Sequence, residues 1–451
     1  MNRVAFVAHS RSVLVALCTA ACAACTGYDG DTQPPGGSTP RVEAPDIDTS
    51  DAQLPDTETP GTVAFVAPRV MPYVVDVAAP MAEIPGTLVP QHVRAAGNLV
   101  ADWQIRHMDA FSASTLVNFQ GHRRYSFGGW LMGAMAIGMT RWGLVSDNPR
   151  YLDFVREQGR NFAWGVEARE FDADDYVIGQ TWLELFEMDG DPAMLGPLTE
   201  RLDHVYANWP TVSRDFGIDC EQMNVACRER WTWIDALFMG APVWVHLADV
   251  TGDERYLEFA DREFWASFDT FWDARESLLY RDRRYIPMRD GAGRKVFWSR
   301  GNGWVFASFA RILPKLPGDH PSRPVYVERF RDMAARLVRL QQPGGYWTSS
   351  LLNPSISPTP ETSGSAFFTY GLAWGINEGL LDRSDYLPAV ERAWARLVSS
   401  LYADGRLAYV QPSGAAPQTV HKESTDVYGV GAFLLAASEV HRLSSSAAPA
   451  H

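Results

Sequence analysis

The chain predicts an all-α fold, an (α/α)6 toroid of six helical hairpins, and three observations predict it. Apolar helical segments recur six times, starting near residues 128, 176, 232, 301, 363 and 425, at spacings of about 48, 56, 69, 62 and 62. A recurring unit of this length is the mark of stacked hairpins. After each of the first five comes a turn and an amphipathic helix, and a double ring needs that alternation, since inner helices are buried on all sides while outer ones keep a wet face. No dense β-branched alternation competes with the helical pattern.

The elements follow in order. QHVRAAGNLVADW leads in. The six apolar segments are FGGWLMGAMAIGM, YVIGQTWLELFEM, TWIDALFMGAPVWVHLADV, RGNGWVFASFARIL, TSGSAFFTYGLAWGINEGL and TDVYGVGAFLLAASEV. Each opens with polar and glycine residues and runs on through small and aromatic ones. The amphipathic partners are PRYLDFVREQG, PAMLGPLTERL, ERYLEFADREF, VYVERFRDMAARL and SDYLPAVERAW, giving twelve helices in all. A ring grows by adding hairpins, so the body from 88 to 443 reads as one domain although it exceeds the usual size of a single core.

Residues 1–25 carry Arg3 and Arg11, no acidic residue, and an apolar run from Val13 to Ala24 that is too short to span a bilayer. They read as an export signal. Cys18, Cys22 and Cys25 close that run among small residues, as in the processing site of a bacterial lipoprotein, with Cys25 or Cys22 as the lipidated residue. Neither has the usual leucine three positions ahead, so plain secretion also fits. Residues 26–87 are a Pro/Asp/Thr-rich tether and lead-in with too little apolar surface to offset the entropy of ordering, and 444–451 form a short tail. Cys220 and Cys227, in the polar loop CEQMNVAC, are the two cysteines of the mature body, and in an oxidising compartment they predict a local disulfide. No clustered Cys/His pattern predicts a metal, and no cofactor motif is present.

The 451 residues, 46% hydrophobic and 12% aromatic, can bury a large core. A net charge of −14 excludes nucleic acid as a partner, because phosphate binding needs a basic field. Membrane contact enters only through the lipid anchor.

Successive hairpins alternate in direction, so the six inner helices run parallel and the segments before them meet on one rim: HRRYSFGGW, DADDYVIG, RWTWID, WSRGNGW, ETSGSA and KESTDVYG. Six helix N-termini there favour an anion. Asp235, in RWTWID, has two readings. With Thr232 it resembles a capping box; beside Trp233 in a desolvated cleft it is a general acid. Asp174 and Asp175 divide the same way, one expected to cap a helix and the other to face Asp235, as acid/base chemistry on sugars requires. Which of the two faces the site is left open. In WSRGNGW, Gly301 and Gly303 would admit a ligand close to the backbone, and Arg300 would hold a carboxylate in a bidentate fork. Trp298 or Trp304 would lie against a sugar ring, and Asn302 and Asp174 complete the substrate-facing set. The plainer alternative is a glycine-rich turn into a helix, with the tryptophans as core.

Taken together, DADDYVIGQTWLELFE, RWTWIDALFMGAP, WSRGNGW, ETSGSAFFTYGLAWGI and STDVYGVGAFLLAASEV resemble the signature stretches of glycoside hydrolase family 105, the unsaturated rhamnogalacturonyl hydrolases, over roughly residues 90 to 443. The resemblance implies an (α/α)6 barrel without metal or cofactor. Its substrate would be an unsaturated uronate-terminated oligosaccharide left by lyase cleavage of rhamnogalacturonan pectin, from which the terminal residue is removed by hydration of the C4=C5 double bond. It implies Asp235 as general acid/base, Asp175 as assisting carboxylate, and Trp233, Trp298, Arg300 and Trp304 around the unsaturated ring. Two other readings stand beside it: an inverting hydrolase of saturated glycosides on the same barrel, and a sugar-binding lipoprotein without turnover.

Overall fold

The computed structural model describes residues 79–108, 126–209 and 230–446. The export signal, most of the tether, Cys25, the Cys220 and Cys227 loop and most of the tail lie outside the described residues.

Helices alternate between an inner and an outer ring. The outer ones are α1 (Pro90–Arg106), α3 (Pro149–Asn161), α5 (Gly196–Asn208), α8 (Glu254–Phe271), α10 (Arg323–Leu340) and α12 (Arg383–Val398). The inner ones are α2 (Trp130–Val145), α4 (Gly179–Asp189), α6 (Ala236–Met239) with α7 (Ala241–Thr251), α9 (Ser299–Ile312), α11 (Thr362–Asn377) and α13 (Val427–Ser445). Composition sorts the two rings as the alternation requires. Every residue of α9 is buried, whereas α3 buries only Tyr151, Val155 and Gly159. Local signals start the outer helices: Asn148, Asp253 and Asp382 each accept a hydrogen bond from the second residue of the helix that follows.

Each inner helix packs on the next, and α13 returns to α2, so the ring closes. The closing pair meets backbone to backbone. A Cβ on Gly138 would lie 2.2 Å from the Gly431 carbonyl oxygen, and one on Gly431 would lie 2.1 Å from that of Ala134. Between the rings, Trp244 stacks on Phe259 at 3.9 Å; truncating such a buried aromatic costs about 3–5 kcal/mol.

The third inner helix departs from the expected twelve by breaking into two pieces. Pro242 has no N–H to return to the Phe238 carbonyl, four residues back, and Gln180 Nε2 donates to that carbonyl instead, at 2.8 Å. Among the described residues the strand content is a short hairpin, β1 (Trp272–Asp273) with β2 (Leu278–Leu279), leading into the rim segment before α9.

Candidate active site

Asp235 immediately precedes α6, in helical backbone conformation, and its side chain caps nothing. The capping alternative therefore fails on geometry. Its side chain is 13% exposed, and Oδ2 has no hydrogen-bond partner among the described residues. Burial pushes this carboxyl above its ordinary range, while Arg281 and Arg300 pull it back in part. A carboxyl that resists ionisation and keeps an opening to solvent is equipped to donate a proton.

The acidic turn before α4 divides its three aspartates among three tasks. Asp172 caps it, accepting from Asp174 N at 3.0 Å. Asp175 is buried and accepts from Arg169, at 2.7 Å from its backbone N and 2.9 Å from Nε. Both of its oxygens accept from Arg169, and no hydrogen bond among the described residues joins Asp175 to Asp235. Asp174 is the member whose carboxyl feels the charge of Asp235. Its carboxyl is pushed well up, first by burial, then by the charge of Asp172, with Asp235 and Asp175 adding repulsion and Arg169 opposing. Two carboxyls, both raised and one repelled by the other, form a pair able to hold and pass one proton.

WSRGNGW proves to be architecture. Arg300 is 1% exposed. Its Nη1 donates to the carbonyls of Gln411 (3.0 Å) and Pro412 (3.1 Å) and to Tyr428 Oη, and its Nη2 to Gly414 O at 2.8 Å. The guanidinium lies over Trp298 at 4.3 Å and Tyr428 at 4.9 Å. Its fork is thus occupied by the 411–414 segment, and the expected carboxylate clamp is corrected to a loop pin. Trp298, also 1% exposed, donates to Gln411 Oε1 at 2.9 Å. Trp304 is packed against Phe367, Phe238 and Trp130. Neither offers a face to a sugar. Asn302 is fully buried, accepting from Leu279 N at 2.8 Å and donating to the carbonyls of Leu279 and Trp298, so it ties β2 to α9 and does not reach the cleft. Gly303 serves helix packing too: its missing Cβ would stand 3.1 Å from Phe367 and 3.4 Å from Gly364 in α11.

Trp233, 7% exposed, stays at the site, because its backbone bridges to Asp282 next to Asp235. Three further residues there were not singled out from sequence. Trp130, in FGGW, is half-buried beside Trp304 and Tyr428. Arg281 sets its Nε 3.9 Å from Asp235 Oδ2. Asp426, in STDVYG, is buried and pushed up to about 7 by burial, against the opposing pull of Arg300. Trp130 and Asp426 lie in rim segments the repeat already marks; Arg281 lies upstream of one, where no pattern points. Elsewhere, Glu187, His246 and Asp249 come close enough to share a cation, but Lys315 Nζ already bonds Glu187 and Asp249.

A toroid of six inner helices with raised carboxyls at one rim fits a glycoside hydrolase. The chain belongs to Glycosyl Hydrolase Family 88, whose description matches residues 98–444. It is 36% identical over 376 residues, covering 81% of this chain and 88% of the relative, to the unsaturated 3S-rhamnoglycuronyl hydrolase of Alteromonas sp. (strain LOR). A solved family 88 glycosyl hydrolase from Bacteroides vulgatus superposes with a TM-score of 0.67 at 31% identity, covering 79% of this chain and 99% of that one. A family 105 glycoside hydrolase of C. acetobutylicum, 20% identical, shares the fold with a TM-score of 0.61 over 77% of this chain and 99% of its own.

Proposed function

We propose that this hydrolase removes the terminal unsaturated uronate from lyase-generated oligosaccharides by hydrating its C4=C5 bond, with Asp235 as proton donor and Asp174 as its partner carboxylate. The observation that carries the reading is the raised, uncapped carboxyl of Asp235, whose charge also raises Asp174. Asp235 delivers its proton to C4, and the positive charge appears at C5, shared with the ring oxygen. Water adds to C5, its proton passing to the carboxylate pair. The resulting hemiketal opens at the C5 to ring-oxygen bond, leaving a ketone at C5 and a hemiacetal at C1, which releases the rest of the chain as an alcohol. The sequence likeness favours a pectin-derived rhamnogalacturonan fragment. The Alteromonas relative's name favours a 3-sulfated rhamnose next to the uronate, and at 36% identity that leaving sugar is the first to try.

The apolar leader and Cys25 support export to the cell envelope, where lyase products arrive. Incubation with oligosaccharides from lyase-treated rhamnogalacturonan and from lyase-treated sulfated rhamnoglycuronan tests the function. Loss of the ultraviolet absorbance of the double bond supports it. Release of saturated sugars with that absorbance intact would favour an inverting hydrolase, and binding without turnover a sugar-binding protein.

A further inference from the structure

The structure assigns the anchoring of the substrate carboxylate to Arg281. The assignment rests on the proposed hydration of an unsaturated uronate and deepens it by naming the residue that selects for the acid.

The reaction creates a need for a cation at one place. The substrate brings its own anion into a protein of net charge −14, and as Asp235 gives up its proton a second negative charge appears beside it. In a desolvated cleft these charges repel strongly unless a fixed cation lies between them. Arg300 does not meet the need, because four oxygens already occupy its two terminal nitrogens.

Arg281 does. Its side chain is only 11% exposed. Its Nε and Asp235 Oδ2 confront each other at 3.9 Å, too far to hydrogen-bond, and neither has a hydrogen-bond partner among the described residues. Nη1 donates to Asp282 at 2.7 Å and Nε is buried against Asp235, which leaves Nη2, without a hydrogen bond among the described residues, as the nitrogen open to a ligand. Backbone pairing fixes that position: Ile234 N donates to Arg281 O at 3.0 Å, and Asp282 bridges to Trp233, so the segment carrying Arg281 lies against the turn that leads into Asp235.

Local charge also favours an incoming anion. Asp282 is held below its ordinary value, against its burial, by Arg284 and Arg281. It accepts from Arg284 as well as from Arg281, so Arg281 shares its one bonded carboxylate with a second guanidinium. The chemistry sets the spacing. The carboxylate carbon is bonded to C5, the neighbour of the C4 that Asp235 protonates. A group gripping the carboxylate must therefore sit directly beside the acid, as Arg281 does, and a planar fork suits that role better than a point charge.

The test compares an unsaturated uronate-terminated disaccharide with its methyl ester, which keeps the double bond and removes the charge. Wild type should lose roughly 10- to 100-fold in kcat/KM on the ester. Arg281→Lys should lose a similar factor on the acid, with little further loss on the ester, and the acid's penalty should appear largely in KM. Arg300→Lys should show no such selectivity. Equal losses on acid and ester for Arg281→Lys would make Arg281 a structural residue and overturn the assignment. A wild type that turns over both substrates equally would overturn it even if the lysine variant failed to fold. A wild type that bleaches neither substrate would instead refute the hydration reading itself.

Discussion

Replacing Asp235 with asparagine separates chemistry from architecture at one atom. A capping aspartate exchanged for a poor cap forfeits roughly 0.5–2 kcal/mol, but the Asp235 side chain makes no cap hydrogen bond to its helix, so that loss does not arise. The sign of the electrostatic effect is opposite. The folded-state pKa is raised above the ordinary 3.8, so the folded protein holds this proton more tightly than the unfolded chain does. The resulting stability is fully present below the unfolded value and is lost as pH rises through the folded one. Asp235→Asn should therefore match wild type in melting temperature at acid pH and equal or exceed it near neutrality. Turnover should behave differently. Loss of general acid/base transfer should slow it by about 10²- to 10⁴-fold while the variant still binds unsaturated oligosaccharide. Turnover by absorbance loss, melting at several pH values and the product formed in heavy water check all of this, since the wild type must leave deuterium at C4. Near-normal turnover by the variant, a clear drop in its melting temperature, or a product without label at C4 would refute the reasoning.

The same logic gives opposite expectations for the two neighbouring aspartates. Asp174→Asn should keep the fold and lower turnover at least about 10-fold, whereas Asp175→Asn should lower the melting temperature by breaking the Arg169 pairing, as parallel kinetics and melts would show. Arg300→Lys cannot span the carbonyls of 411, 412 and 414, and should cost at least about 1.5 kcal/mol in denaturant unfolding; unchanged stability would argue that the 411–414 segment is held by other means. Asp426, pushed from 3.8 to about 7, should make wild type lose up to about 4 kcal/mol between pH 4 and 7, at 1.36 kcal/mol per unit. Asp426→Asn, which keeps an oxygen to accept from Val427 N, should flatten that part of the pH–stability curve, and an unchanged curve would place the titration elsewhere.

What could be read from sequence followed from periodicity. The alternation of apolar and amphipathic segments carries the toroid because burial on all sides and burial on one face demand different compositions. The rim followed from topology, and Asp235 from the rim. Division of labour within a motif was not legible. DADD offers no pattern that assigns Asp174 to the cleft and Asp175 to Arg169, since the choice depends on where Arg169 folds back. Arg300 looked solitary in WSRGNGW because its partners are carbonyls more than a hundred residues downstream. Arg281 sits in an ordinary basic stretch, YRDRRY, and gains meaning only through the backbone pairing of its segment with Trp233 and Ile234, just before Asp235.

The closure of α13 on α2 leaves the helical body without a true beginning or end. Arg94, near the start of α1, lies 3.4 Å from His441, near the end of α13, so the two ends of the body meet at the same place. Any inter-helix turn is then topologically equivalent to that junction. A circularly permuted chain, with residues near 90 and 445 joined and new termini opened in the 317–321 turn between α9 and α10, keeps every helix beside its present neighbours. Deleting α13 does not shorten the body; it opens a seam down the whole interior, exposing the glycine face of α2 and the packed side of α11 together.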